Sequence, residues 1–244
     1  MISASEIKYV KSLSQKKFRD QDGVFVVEGE KLVSEALASD FEVLKVYSRE
    51  DIGESAMARI SGLSSPSPAL AIVRKPVCAA GPAVVHGPGL YLALDGIRDP
   101  GNMGTILRIA DWFGLDGIFA SEDSVDIFNP KVVQATMGAI FRVRFIYCAL
   151  PELCLSFKEA GGKVYGTFLD GENLYRKSLE RGSSAPALII TGSEAHGISP
   201  EVAACVSDRL FIPPYPSEDP GSESLNAAVA TAITVAEFRR RLNA

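Results

Sequence analysis

The sequence lacks the features that would place the chain in a membrane or in an oxidising compartment. No apolar run approaches the roughly 18 residues that a membrane-spanning helix needs, and the N-terminal stretch has no apolar core typical of a secretory signal. The four cysteines form no CxxC pair, and only two histidines could join them as metal ligands. The sequence therefore predicts no metal site and no disulfide framework, and it favours buried thiols and a cytoplasmic location.

Common cofactor motifs are also missing. There is no GxGxxG after the first strand, no Walker loop and no HExxH helix. These absences disfavour a standard dinucleotide site and a Rossmann-type methyltransferase site.

Acidic residues outnumber basic ones in the whole sequence, but basic residues are concentrated near the N-terminus. The formal net charge is −5, yet five basic residues and no acidic ones lie between Ile7 and Arg19. Because charges are screened over about 8 Å at physiological salt, a nucleic acid phosphate senses local rather than net charge. The run predicts phosphate contacts by Lys11, Lys16, Lys17 and Arg19. The alternative is a solvated helix face without a partner.

Hydrophobic periodicity divides the chain into two α/β parts. Helices alternate with short apolar strands such as Val24–Val27 up to about residue 76. Residues 77–88 are small and punctuated by proline, which is typical of a linker. From residue 89 onward, strands such as Leu90–Leu94 and Leu188–Thr191 alternate with helices, and this alternation predicts a mostly parallel sheet covered on both faces.

Helix signals are clear at three places in the second part. Asn102 occupies the position of an N-cap, Asn129 and Pro130 open another helix, and a long last helix is predicted from Ser224 to Leu242.

Three loops at expected strand ends are rich in glycine and polar residues, namely residues 95–108, 191–197 and 212–226. Ligands of open α/β sheets bind beyond the carboxyl ends of the strands, so these loops are the candidate site. Each loop alone could be a simple turn, with Asn102 serving only as a cap.

Taken together, the three loops resemble the three motifs of the SpoU (TrmH) family in the SPOUT superfamily of RNA methyltransferases. The matching residues are Asn102-x-Gly104-x-x-x-Arg108, Gly192-x-Glu194-x-x-Gly197, and Ile212-Pro213 with Glu223-Ser224-Leu225-Asn226. The match covers almost all of residues 90–242 in the order of the family. The N-terminal part also resembles the ribosomal-protein-like (L30e-like) RNA-binding domain that many members carry.

The resemblance implies an S-adenosylmethionine-dependent methyltransferase that modifies a ribose 2′-hydroxyl in structured RNA, with ribosomal RNA favoured over transfer RNA. It implies an RNA-binding domain over residues 1–76, a linker over 77–88, and a trefoil-knotted, mostly parallel catalytic domain over 89–244. It also implies a homodimer through the last helix, with apolar residues such as Val229, Ile233 and Val235. The alternatives are a non-catalytic RNA-binding or ribosome-assembly protein of the same fold and a base methyltransferase.

The resemblance also assigns roles to individual residues. The cofactor positions are Thr191, Gly192, Ile212 and Leu225, and the catalytic set is Arg108, Asn102, Glu194, Ser224 and Asn226. An arginine is effectively always protonated, so we interpret Arg108 as a ligand of the RNA phosphate and a stabiliser of the developing alkoxide rather than as a base. His196 is set aside because the family does not require histidine there.

Overall fold

The computed structural model describes residues 2–76, 87–179, 185–216, 221 and 223–242. Contacts divide the chain into two units. The N-terminal unit comprises Met1–Cys78 with Asp126–Arg142, and the C-terminal unit comprises Ala79–Val125 with Val143–Ala244. Asp126–Arg142 thus lies inside the range 89–244 assigned above to a single catalytic domain, yet it makes its contacts with the N-terminal unit. Most of the expected linker, residues 77–86, lies outside the described residues.

The N-terminal unit contains a three-stranded antiparallel sheet in the order β1-β3-β2. Its strands are β1 (Val24–Glu28), β2 (Val43–Ser48) and β3 (Ala69–Arg74), and its helices before residue 76 are α1 (Ala4–Ser12), α2 (Lys16–Asp22), α3 (Glu30–Leu37), α4 (Arg49–Ile52) and α5 (Glu54–Ile60). Helix α1 ends at Ser12, and α2 begins at Lys16. The alternation of helix and strand was predicted, but the antiparallel pairing was not.

The segment Asp126–Arg142 supplies aromatic side chains to the core of this unit. The Phe25 ring of β1 lies 4.8 Å from the Phe128 ring and 6.5 Å from the Phe141 ring, measured between centroids. Phe41 packs edge-on against Phe141 at 5.2 Å. The packing of these rings, of which Phe25 and Phe141 are buried, is one physical reason that the segment belongs with the N-terminal unit.

The C-terminal unit is built on a six-stranded parallel sheet in the order β6-β5-β4-β8-β7-β9, which confirms the prediction of a mostly parallel sheet. Its strands are β4 (Gly89–Asp95), β5 (Gly117–Ala120), β6 (Phe145–Tyr147), β7 (Lys163–Asn173), β8 (Pro186–Gly192) and β9 (Asp208–Phe211). The helices after residue 99 are α6 (Pro100–Trp112), α7 (Pro130–Thr136, in the N-terminal unit), α8 (Leu150–Glu159), α9 (Pro200–Ala203) and α10 (Ala227–Leu242). Strand β8 is buried throughout, as expected of a central strand covered on both faces.

Helix α6 begins three residues earlier than predicted, at Pro100, so Asn102 is not its N-cap. Asp99 is the cap, and its Oδ1 accepts a hydrogen bond from the Asn102 backbone N–H at 2.8 Å. Pro100 takes the first helical position, where its missing N–H costs nothing. The correction matters because it leaves the Asn102 amide side chain available for other contacts.

The last helix, α10, begins at Ala227 rather than at Ser224. Asn226 caps it, because its Oδ1 accepts from the backbone N–H groups of Ala228 at 3.0 Å and Val229 at 3.3 Å. Val235 is fully buried within its own unit, so the prediction that it contacts a second subunit was wrong. Val229, in contrast, is 47% exposed. No helix in the described part of the chain is long and apolar enough to cross a bilayer.

Candidate active site

The topology of the parallel sheet brings the three glycine-rich loops to one edge. Strands β4 and β8 are neighbours in the sheet, with Asp95 paired to Gly192. Along the chain they are separated by β5, β6 and β7. The first and second loops therefore leave the sheet side by side. Asp95 adds a tie, because its Oδ2 accepts from the Ser199 N–H at 2.7 Å.

Three of the five predicted catalytic residues form a hydrogen-bonded group, which we call the amide–carboxylate cluster: Asn102, Glu194 and Asn226. The Asn226 Nδ2 donates to the Asn102 Oδ1 at 2.9 Å and to the Glu194 Oε1 at 3.2 Å. The Asn102 Nδ2 also donates to the Glu194 Oε1. One carboxylate oxygen thus accepts from two amides, and the three loops become a single hydrogen-bonded unit.

Local structure explains why each member points into the cluster. Asn102 is in the first turn of α6 with its cap supplied by Asp99. Asn226 uses its oxygen to cap α10, which aims its nitrogen at the other two residues. Glu194 sits in a tight turn closed by reciprocal backbone hydrogen bonds between Ser193 and Gly197, of 3.1 and 2.9 Å.

Arg108 and Ser224 lie outside this cluster. Arg108 is on α6, six residues after Asn102, and its side chain is exposed. It makes no hydrogen bond or ion pair with any residue that the structure describes. Ser224 is exposed in the segment that precedes α10. Both side chains are therefore open to a ligand.

The predicted cofactor positions fall into two kinds. Thr191 is buried, with its hydroxyl 3.0 Å from that of Thr231, so only its backbone could meet a ligand. Ile212 is half-buried and Leu225 is 46% exposed, which leaves apolar surface of the sort that flanks an adenine ring. The backbone of Thr191 and the exposed apolar surface of Ile212 and Leu225 fit the adenosine part of S-adenosylmethionine.

Gly192 is required by its own loop. A Cβ at this position would lie 2.1 Å from the Gly197 carbonyl carbon and 2.3 Å from the Ile198 nitrogen. The absence of a side chain lets the second loop fold back onto the end of β8. A larger residue there would displace backbone, so Gly192→Val is not a clean probe of cofactor binding.

A serine-rich turn after β5, which the sequence analysis did not single out, holds the first loop. The Gly96 N–H donates to the Ser121 Oγ at 2.9 Å, and the Ile97 N–H donates to the Ser124 Oγ at 3.2 Å. A hydrogen bond donated by Ser121 is the largest cause that lowers the pKa of Asp123 from its usual value, and a hydrogen bond from Arg98 adds to it. The signal was available, because residues 121–124 are turn formers that follow a strand next to β4.

The N-terminal basic run contains one buried member, which corrects one expected RNA contact. Arg19 is 1% exposed, and its guanidinium donates to the carbonyl oxygens of Leu13 at 2.9 Å and Ser14 at 2.8 Å and to the Asp126 carboxylate at 2.7 Å. It therefore anchors the segment Asp126–Arg142 and is unavailable to a phosphate. The exposed members of the predicted contacts are Lys11, Lys16, which pairs with Asp20, and Lys17.

The described cysteines are free thiols. Burial raises the pKa of Cys148 to about 11 and that of Cys154 to about 12, so neither forms a reactive thiolate near neutral pH. Among residues that the structure describes, no group of three or more His, Cys, Asp or Glu side chains could hold a metal ion. Cys78 lies outside the described residues.

Comparisons with known proteins agree with both units. The family model described as the SpoU rRNA Methylase family matches residues 89–236, and that of the MRM3-like substrate binding domain matches residues 4–65. The chain is 30% identical to the 23S rRNA (guanosine(2553)-2′-O)-methyltransferase RlmP of Bacillus subtilis, over 96% of each chain.

Two solved structures are similar over nearly the whole chain. A TrmH-family protein from Porphyromonas gingivalis is 41% identical, with a TM-score of 0.86 and 99% of each chain covered. An AdoMet-bound rRNA methyltransferase from Sinorhizobium meliloti is 28% identical, with a TM-score of 0.83, and the match covers 99% of this chain and 97% of that one. The predicted enzyme class, an RNA 2′-O-ribose methyltransferase, and the predicted cofactor, S-adenosylmethionine, are thereby confirmed, and the chain belongs to the SpoU family.

Proposed function

We propose that the chain methylates a ribose 2′-hydroxyl of ribosomal RNA. The observation that carries this choice over transfer RNA is the extent of the match to the Bacillus subtilis rRNA enzyme, which covers the N-terminal unit as well as the catalytic one. The N-terminal unit is the part that would select the RNA, through exposed Lys11, Lys16 and Lys17. On this proposal, residues 1–76 form the RNA-binding domain, residues 77–88 form the linker, and residues 89–244 form the methyltransferase domain.

The reaction depends mainly on positioning. When bound, S-adenosylmethionine would supply a methyl group on a sulfonium and would leave as a neutral thioether. The ribose oxygen must be aligned with that methyl group and must release its proton to solvent water. The exposed guanidinium of Arg108 binds the phosphate of the target nucleotide and stabilises the negative charge that develops on the 2′-oxygen. The amide–carboxylate cluster fixes the three loops around that oxygen, with Ser224 as a further hydrogen-bonding group.

The adenosine part of the cofactor is held by the backbone of Thr191 and Gly192 and by the apolar surfaces of Ile212 and Leu225. Support comes from the exposure of Leu225 and from its place next to Asn226, which ties this segment to the second loop.

The quaternary structure is proposed to be a homodimer formed through α6 and α10. Trp112 at the end of α6 is 85% exposed, Val229 on α10 is 47% exposed, and the two helices pack together. Isologous pairing of such surfaces is the commonest form of oligomer. A trefoil knot in the C-terminal unit, an L30e-like fold of the N-terminal unit and a cytoplasmic location complete the proposal.

A methyl-transfer assay with labelled S-adenosylmethionine tests the function directly. Ribosomal RNA from cells that lack the gene should accept label, and matched transfer RNA should not. Mapping of ribose methylation should then find one 2′-O site that is missing in the deletion strain. Binding of rRNA without any label transfer would favour the non-catalytic assembly protein, and label on a base would favour the base methyltransferase.

A further inference from the structure

Helix α10 is attached to α6 at both ends. At the N-terminal end, Asn226 donates to Asn102 at 2.9 Å. At the C-terminal end, the Arg239 Nε donates to the Phe113 carbonyl oxygen at 2.8 Å, and its Nη2 donates to the Gly114 carbonyl oxygen. Helix α6 is therefore held by two sets of hydrogen bonds, which we call its two ties. The amide–carboxylate cluster provides only the first of them.

The lengths of the two helices agree with this arrangement. Asn102 and Phe113 are separated by about 17 Å along α6, and Asn226 and Arg239 by about 20 Å along α10, at roughly 1.5 Å per residue. The helices must run side by side in the same direction for both ties to form. The length of the arginine side chain makes up the small difference.

The second tie has a clear electrostatic basis. The last carbonyl groups of a helix have no intrahelical donor, and the helix dipole places partial negative charge there. Arg239 brings a permanent positive charge and two N–H donors to two consecutive carbonyl groups, and its side chain is half-buried. A contact of this kind resists both sliding and rotation of α6.

Arg108 lies between the two ties. It is six residues after Asn102 and five before Phe113, and its side chain has no hydrogen bond or ion pair with the described residues that could fix it independently. Its position is therefore set by the position of α6.

We infer that Arg239 is a positioning residue for methyl transfer, which holds α6 where Arg108 can reach the target nucleotide. This inference rests on the role proposed above for Arg108. It assigns a function in catalysis to a residue outside the three sequence motifs, at the far end of the last helix.

The neighbouring Arg240 provides a matched control. It follows Arg239 directly, carries the same charge and is exposed, but its guanidinium pairs with Glu237 of its own helix at 2.8 Å. Glu237 retains Arg241 as a partner when Arg240 is removed. Arg240→Ala therefore removes one positive charge from the same turn without releasing α6.

The test compares Arg239→Ala, Arg239→Lys and Arg240→Ala in the full-length enzyme by single-turnover methylation, cofactor titration calorimetry and light scattering. We expect Arg239→Ala to lower kcat on the order of tenfold to a hundredfold, the scale for displacement of a reacting group by about 1 Å. The cofactor Kd and stoichiometry should stay within twofold of wild type. Arg239→Lys should recover part of the rate, and Arg240→Ala should match wild type.

A double variant tests the route through Arg108. If Arg239 acts by placing Arg108, then Arg239→Ala should cost little further rate in an Arg108→Ala background, because the displaced group is already gone. Additive losses would overturn the inference, as would an unchanged kcat in Arg239→Ala. A parallel loss of cofactor stoichiometry or of oligomer mass would show a merely structural role and would overturn it too. A failure of the proposed function is distinguishable, since the wild-type enzyme would then transfer no label to ribose.

Discussion

The basic run of the N-terminal unit and the first motif loop of the C-terminal unit both contain an arginine that was predicted to meet RNA, and the structure treats the two in opposite ways. Arg19 is buried and donates to three oxygen acceptors. Arg108 is exposed and has no partner among the residues that the structure describes. One arginine is committed to the fold, and the other remains available to a substrate.

A count of charges therefore does not distinguish an arginine that stabilises the fold from one that contacts a substrate. Within α2, Lys16 and Lys17 face solvent while Arg19 faces the Asp126 carboxylate, so one short helix places like charges on different faces. Arg108, by contrast, was predicted from the resemblance of residues 102–108 to the first motif of the family.

The largest expected effect is on stability, from Arg19→Ala. This change leaves the Asp126 carboxylate, whose side chain is 11% exposed, without its ion-pair partner. It also removes a buried side chain from α2, which contacts β1. Breaking a buried ion pair in this way costs about 3 to 5 kcal/mol. Urea unfolding, with hydrogen exchange of the β1 amides as the local probe, measures it. Lys17→Ala on the exposed face should stay within about 0.5 kcal/mol of wild type. A loss below about 1 kcal/mol for Arg19→Ala would mean that the burial contributes little.

Arg108→Ala should show the converse pattern, with activity lost and stability kept. We expect turnover to fall by about two to three orders of magnitude, the scale for removal of one electrostatic stabiliser. Cofactor affinity and the unfolding midpoint should be close to wild type because the side chain has no described partner to lose. Arg108→Lys should recover little, since an ammonium cannot grip a phosphate with two parallel hydrogen bonds. A fully active Arg108→Ala enzyme would refute the proposed mechanism while leaving the family assignment intact.

Most elements of the fold could be predicted, because periodicity and turn residues are local signals. Strand β4 and the opening of α7 at Pro130 lie where they were expected. The cap of α6 was misplaced because Asp99 and Asn102 are both good capping residues, and Pro100 decided between them. The antiparallel pairing of β1 with β3 and the packing of Phe128 against Phe25 depend on contacts between distant parts of the chain, which periodicity does not report.

The site residues could be named in advance through the family resemblance, but their mutual contacts could not. Asn102 and Glu194 meet because β4 and β8 are adjacent in a sheet whose strand order differs from the chain order. The burial of Thr191 and the close approach at Gly192 likewise follow from three-dimensional packing. The serine-rich turn of residues 121–124 was missed because turn formers after a strand are common and carry no motif.

Glu194 provides a smaller and more discriminating test of the C-terminal region. Glu194→Ala removes the acceptor shared by Asn102 and Asn226, and we expect turnover to fall by about tenfold to a hundredfold, the scale of a hydrogen bond to a charged group. Glu194→Gln keeps one acceptor oxygen of the same shape and should retain most of the activity. If Gln proves as damaging as Ala, the carboxylate charge itself takes part in the reaction, and an orienting role is insufficient. Single-turnover rates at saturating cofactor distinguish these outcomes.

The smallest expected effect concerns the exposed lysines of the basic run, and it decides whether that run contacts RNA at all. Deletion of residues 1–76 cannot test this, because it would remove the Arg19 anchor and the Phe25 ring that cover the segment Asp126–Arg142. Substitution of Lys11, Lys16 and Lys17 by Gln removes their charge and keeps the fold, because all three side chains are exposed. Asp20 loses its ion pair with Lys16 but retains the one with Lys75. Each lost phosphate contact should lower the slope of log K against log salt by roughly 0.7 to 0.9, with the cofactor affinity unchanged. Lys158→Gln on α8 of the C-terminal unit provides the control for a nonspecific change of charge. An unchanged slope in the triple variant would identify the run as a solvated helix face, and the RNA contacts would then have to lie on another part of the molecule.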